Sequence, residues 1–332
     1  MRQDDVRQIH KHRRWKRDLK GVYDTLASPC DILVTGSARL NVYRKGSDSL
    51  LGRYHHFRLH PLSLREMATA EPATPDDLLG RLFTRAEHHA RRNPECLDAM
   101  MEFGPFPEPL LAANARKARL WRRERRDLVI REDLRDLSRL PELDRVEMMV
   151  ALLPARVGSA LSLNSLREDL EAGHHTVARW LAFLKELFYV YEIKPYHRSI
   201  PRALKKEGKV YFWDCAEVPQ EAARFENLVA GHLLKACHLW TDAGHGSFDL
   251  SFLRNKEKQE IDFLITRDGL PWLPVEVKLS ETAPSPNWLK FLPFLPTRHA
   301  LQLVRTPHWR LHRIGTTDLL VAGAEEALTY LA

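Results

Sequence analysis

The chain has 332 residues, 44% of them hydrophobic, which supports two or three domains with ordinary buried cores and excludes a disordered or fibrous polymer. Lys and Arg total 51 against 44 Asp and Glu, a formal charge of +7 and a sequence pI of about 9.2, so polyanions fit as partners. Cys30, Cys96, Cys215 and Cys237 form no Cys-x-x-Cys pair, which argues against a zinc cluster or a disulfide framework, and no apolar run reaches the roughly 18 residues of a membrane span, so a cytoplasmic, membrane-free protein is expected.

The first recognisable element is DILVTGSA (31–38), a short apolar run that predicts a buried parallel strand delivering Thr35 and Ser37 at its carboxyl end. Further on, ANARKARLWRRERRD predicts a strongly basic helix from about Ala112 to Arg126. Such a run is most often a solvated face, and its functional alternative is a phosphate-binding surface through Arg122 and Arg123.

From about Pro141 the periodicity reads helix, helix, helix, strand, strand. Leu163, Leu166 and Leu170 make one apolar face, Gly173 breaks the chain, and Val177, Leu181, Leu184 and Leu187 line the next helix. This is a winged-helix outline, with YVYEIKPYH and GKVYFWD as the wing. Bound to a duplex, it would present His174, His175, Thr176 and Arg179 to the groove. A packing or dimerisation module of the same shape is the equal alternative.

The last third reads as an amphipathic helix, RFENLVAGHLLKACHLW, then strands FDLSFLRN, QEIDFLIT and LPVEVKLS, a helix NWLKFLPFL, a strand HALQLVRT and a terminal helix, an α/β arrangement. Residues two apart on a strand share a face, so Glu276 and Lys278 lie together, as do Glu260 and Asp262. Gly269 is midway between Asp262 and Glu276, and a hairpin centred there through an odd-length loop sets the two carboxylates opposite each other, whereas a two-residue turn would set Asp262 against Val275. Two carboxylates so close call for a hard cation such as Mg²⁺, with Asp262 and Glu276 as ligands, Glu226 completing the metal shell or positioning Lys278, and Lys278 beside them for phosphodiester hydrolysis. The Glu-x-Lys triplet itself carries little, since Glu192-Ile193-Lys194 and Glu207-Gly208-Lys209 repeat it. Its order after the Glu226 helix and the Asp262 strand carries more, and the bland alternative is a cross-strand ion pair.

These segments resemble a known family. IHKHRRWKRDLKGVYD, ILVTGSARLNVYRKGSDSLLGRYHHFRLHPLSL, GPFPEP and REDLRDLSRL look like recurring segments of bacterial and archaeal AAA-type ATPases, and the C-terminal part resembles the domain of unknown function that follows their ATPase module, with a PD-(D/E)XK nuclease-like last third. The resemblance implies a partial P-loop-type AAA core (1–140), a winged-helix module (141–214) and a PD-(D/E)XK-like α/β domain (215–332). The family's Gly-rich phosphate loop is missing from this sequence, and Arg7 and Gln8 stand where the resemblance places two carboxylates. What remains of a nucleotide site is Thr35, Ser37 and Arg53. The expectation is therefore an N-terminally truncated member that does not turn over ATP itself, with ATP a cofactor of intact relatives only. The implied function is nucleic-acid association with metal-dependent cleavage. The alternatives are a non-catalytic interaction or regulatory protein, or remodelling confined to a full-length relative.

Overall fold

The computed structural model describes residues 15–25, 31–35, 54–68, 74–84, 92–133, 142–197 and 207–331. Up to residue 133 the described residues contain the helices α1 (Trp15–Thr25), α2 (Leu64–Met67), α3 (Pro75–Thr84), α4 (Pro94–Phe103), α5 (Pro107–Ala112) and α6 (Ala115–Asp127), the last running into a π-helical turn at Leu128–Asp133. Local chemistry sets these starts. Ser63 and Glu66 form a capping box at α2, the side-chain oxygens of Asn93 and Asn114 accept from the Cys96 and Lys117 N–H groups, and Pro94 and Pro107 occupy first turns. Left-handed Ala113 (φ 43°) and the Asn114 cap delay the basic helix to Ala115. The strand expected from DILVTGSA is not found in its described part. Residues 31–35 pair with no strand, and Leu33 is 89% exposed, because no described strand offers a neighbouring ladder for a buried apolar run to join.

Three helices and a hairpin follow: α7 (Leu143–Leu152), α8 (Leu163–Asp169), α9 (His174–Glu186), β1 (Val190–Pro195) and β2 (Lys209–Phe212). Glu171, at φ 47°, makes the left-handed break after α8, and Gly173 serves as the N-cap of α9. The rest of the chain gives α10 (Glu221–Asp242), β3 (Phe248–Arg254), β4 (Glu260–Arg267), β5 (Leu270–Lys278), α11 (Trp288–Phe291), β6 (His299–Val304), β7 (Trp309–Ile314), β8 (Thr317–Gly323) and α12 (Ala324–Ala327).

All eight strands form one mixed sheet in the order β2-β1-β3-β4-β5-β6-β8-β7. β1 pairs antiparallel with β2 and parallel with β3, so the hairpin that follows α9 is the edge of the same sheet, which continues across residue 214. The larger core packs α10 against the sheet through Phe225, Val229, Leu233, Phe263, Ile265 and Val275. A smaller core packs Trp288 and Leu292 on Ile261, Leu264, Ala300 and Val321. Helix α2 is fastened to this body: Arg65 donates to the Tyr330 and Leu331 carbonyls at 2.9 and 2.5 Å, and the Leu64 N–H donates to His232 on α10 at 3.0 Å.

Candidate acid and lysine site

The β4–β5 hairpin turns through Asp268 and Gly269, both at positive φ (51° and 79°), which is the two-residue turn that by itself would set Asp262 against Val275. A β-bulge corrects the register. Arg267 pairs with Leu270 and Thr266 with Pro271, but Ile265 pairs with Leu273, leaving Trp272 as the extra residue. Trp272 turns inward and packs edge-on against Trp240 (5.6 Å) and Phe248 (5.5 Å). Beyond the bulge Phe263 pairs with Val275, and one further step in that register brings Asp262 opposite Glu276. The side chains interlock there: the Val277 N–H donates to Asp262 Oδ2 at 2.8 Å, and the Asp262 N–H points at Glu276 Oε2 at 3.4 Å. The expected juxtaposition is present, and its cause is an aromatic-filled bulge in place of an odd loop.

Glu276 is enclosed, 1% exposed, with Lys278 Nζ at 2.9 Å and the Ser285 hydroxyl donating at 3.2 Å. Ser285 is itself fixed by Gln302, whose Oε1 accepts from the Ser285 N–H and the Trp288 indole. Glu226 joins from the first turns of α10, accepting from the Tyr211 hydroxyl at 2.7 Å and lying 3.5 Å from Lys209 Nζ. It sits against Gly158 (φ +81°), where a Cβ would come within 3.0 Å of its Oε2, so the approach of the loop after α7 needs glycine. Burial and the Asp262 charge push both Glu226 and Glu276 up to about 7, with Lys209 and Lys278 respectively pulling the other way.

Lys209 and Glu260 complete the cluster. Lys209, one of the repeated Glu-x-Lys triplets, opens β2 and places its ammonium 3.1 Å from Glu260 and 3.8 Å from Asp262. Lys209 and Tyr211, two apart on one strand, both reach Glu226, and that spacing was the sequence signal for this part of the site. Arg254 holds the other oxygen of Glu260 at 3.1 Å. The carboxylates are thus met by ammonium and guanidinium groups, and among the described residues no group of three or more His, Cys, Asp or Glu side chains is arranged to hold a metal ion. As placed, Glu226 and Asp262 face Lys209, and Glu276 faces Lys278.

The expected nucleic-acid contacts divide. Arg122 lies inside the fold, its Nε 3.2 Å from the buried Asp214 and its Nη2 donating to the Glu102 carbonyl at 3.0 Å, whereas Arg123 is exposed. Arg125 stacks over Phe106 (4.5 Å) and Tyr189 (5.2 Å), and Arg126 pairs with Glu217 at 2.9 Å. His174, His175 and Arg179 are exposed at the start of α9 with Thr176 half-buried among them. Thr35 is exposed, while Ser37 and Arg53 lie outside the described residues.

Comparison with known proteins divides the chain into three matched stretches. Residues 8–68 match an AAA domain, 95–219 a domain of unknown function (DUF8612), and 222–319 a second domain of unknown function (DUF4143). Together they support a partial AAA-type ATPase with a C-terminal domain of unknown function. An uncharacterized protein of Haemophilus influenzae is 23% identical over 266 residues, which cover 76% of this chain. The matched region spans 60% of that relative's length. No solved structure matches. Among the described residues no helix is long and apolar enough to cross a membrane.

Proposed function

We propose that this chain is a nucleic-acid-associated protein that grips phosphates through α6 and the start of α9. The carrying observation is the sorting of charge on α6. Arg122 and Arg125 are turned into the fold and the exposed Arg126 is paired with Glu217, while Arg116, Lys117, Arg119 and Arg123 are exposed and make no ion pair with a described residue. Residues 116, 119 and 123 recur on one helical face, where like charges repel unless a polyanion lies along them. The exposed His174, His175 and Arg179 supply a second contact in the winged-helix reading, with β1–β2 as the wing. The AAA-type match supports nucleotide binding as the broader class of activity. In this reading residues 1–140, 141–214 and 215–332 form the nucleotide-related, duplex-contacting and nuclease-like parts. The test is fluorescence anisotropy with duplex DNA over a salt series. Arg119→Glu with Arg123→Glu should weaken binding by about tenfold at low salt and reduce the slope of log affinity against log salt by roughly 0.9 for each lost phosphate contact. An unchanged slope would place the contact surface elsewhere.

A second reading, a phosphodiesterase of PD-(D/E)XK-like fold, is favoured by the convergence of Asp262, Glu276 and Lys278. Lys278 is 30% exposed and is the member a phosphate can reach. Single-stranded and duplex DNA and RNA, offered with Mg²⁺ or Mn²⁺ to the wild type and to Asp262→Asn, Glu276→Gln and Lys278→Ala, separate the readings. The first expects no cleavage above the level of the variants. Cleavage by the wild type that each substitution abolishes would establish the second.

A further inference from the structure

Four carboxylates, Glu226, Glu260, Asp262 and Glu276, meet three cationic side chains, Lys209, Lys278 and Arg254. Of these cations Lys209 alone is fully enclosed, 1% exposed against 30% for Lys278 and 32% for Arg254. Its Nζ lies 3.1 Å from Glu260 Oε2, 3.5 Å from Glu226 Oε1, 3.8 Å from Asp262 Oδ1 and 5.4 Å from the centre of the Phe252 ring. An ammonium has three hydrogens to donate, and three carboxylates from β4 and α10 surround this one. Oxygens gathered from separate elements around one point are also what a hard divalent cation takes, at shorter range.

We propose that the Lys209 ammonium is the resident cation of the acid cluster: it fills the position a divalent ion would need and withholds Glu226 and Asp262 from metal. The position of Lys209 at the first residue of β2 makes it an intramolecular competitor, present at the site without any loss of translational freedom. A divalent ion entering from solution must displace it, and the displaced ammonium is left buried beside Phe252 without its partners, an arrangement far costlier than an exposed one. Three carboxylate oxygens within 3.8 Å of Nζ, from Glu260, Glu226 and Asp262, supply the countercharge that a buried ammonium requires. The same contacts bind the edge hairpin to α10 and β4. This inference is independent of the phosphate-binding reading, since none of its residues lies on α6 or α9.

The experiment is Mn²⁺ titration, followed by electron paramagnetic resonance and calorimetry, on the wild type, Asp262→Asn, Lys209→Met and Lys209→Met with Asp262→Asn. Methionine keeps the length of the lysine stem against Phe252. The wild type should show no one-to-one Mn²⁺ binding below the millimolar range. Lys209→Met should gain one ion per chain, at least about tenfold tighter than any wild-type binding, and lose it again with Asp262→Asn. One-to-one binding by the wild type that Asp262→Asn abolishes would overturn the proposal, as would a folded Lys209→Met that gains nothing. If Lys209→Met does not fold, Lys209→Met with Glu226→Gln, which removes charge from both sides, should recover a cooperative melting transition. A double variant that shows no such transition would equally overturn it.

Discussion

Arg122→Glu is expected to cost the fold roughly 3–5 kcal/mol, while Arg123→Glu, one residue on, stays within about 0.5 kcal/mol of the wild type. The difference follows from what each side chain touches. Arg122 is the cation facing Asp214, a carboxylate at 0% exposure whose other oxygen accepts from the Ala216 N–H at 3.1 Å. Burial raises the Asp214 pKa to about 6 although Arg122 pulls it down. Gly104 makes room for it: its φ is +84°, and a Cβ there would lie 2.0 Å from Asp214 Oδ1, so a residue with a side chain could not stand beside this carboxylate. A glutamate at 122 therefore removes the partner of a buried acid and adds a second acid beside it. The melting temperature should fall by roughly 10 °C. Arg123→Glu should instead leave thermal melting alone and lower affinity for duplex DNA. Equal melting of the two variants would show that the Asp214 pair does not hold α6 in place.

Acidification from pH 7.5 to 5 should loosen residues 54–68 from α10 well before the sheet unfolds. Three histidines sit at this junction. His232 is 3% exposed, and its ring accepts the Leu64 N–H at 3.0 Å while its other nitrogen lies 2.8 Å from the Leu228 carbonyl, which requires the neutral form. His60 and His238 face each other nitrogen to nitrogen at 2.8 Å, which requires one of them to accept. Burial lowers all three, His60 to about 3 with help from the His238, Lys235 and Arg58 charges, His232 to about 4, and His238 to about 4 with help from Arg58. With the unfolded value near 6.5, the stability they contribute is complete above that pH and is lost as pH falls toward 4. Glu226 and Glu276 act oppositely, because acids raised to about 7 favour the folded state as pH falls from 7 to 4.5. Global melting therefore mixes two opposed effects, and hydrogen exchange resolves them. Amides of 62–68 should lose protection between pH 7 and 5 while those of β4 and β5 keep theirs. Uniform protection across that range would refute the coupling.

Period-two spacing made the faces of β4 and β5 legible in the sequence, and with them the grouping of Asp262, Glu276 and Lys278. The register could not be derived from loop length alone, since a Trp packed on Trp240 and Phe248 absorbs one residue. Lys209 was hidden for a different reason. A Glu-x-Lys triplet is common in any charged chain, and this one matters only because β2 folds against an α10 glutamate and a β4 aspartate that lie far off in sequence. Arg122 and Arg123 look alike in sequence because a basic helix does not announce which side meets the protein. Only Ala118 of α6 is buried, so its apolar pattern had almost nothing to orient it. The β7–β8 hairpin was missed because β7 is a polar edge strand, with Arg310, Leu311 and Arg313 exposed, and so lacks the apolar alternation that marks a half-buried strand.

The junction between β1 and β3 has a mechanical meaning. Lys194 pairs with Ser251 and Pro195 with Phe252, and the Tyr196 N–H continues onto the Phe252 carbonyl at 2.7 Å. Glu192 on the same strand clamps Lys185 near the end of α9 at 2.7 Å. The strand that carries α9 is therefore welded to the sheet that carries Asp262, without a joint between them. The start of α9, with its exposed His175 and Arg179, is thereby tied through β1 to the strands that carry the acid cluster, so the hairpin after α9 belongs mechanically to the sheet and not to a separate module.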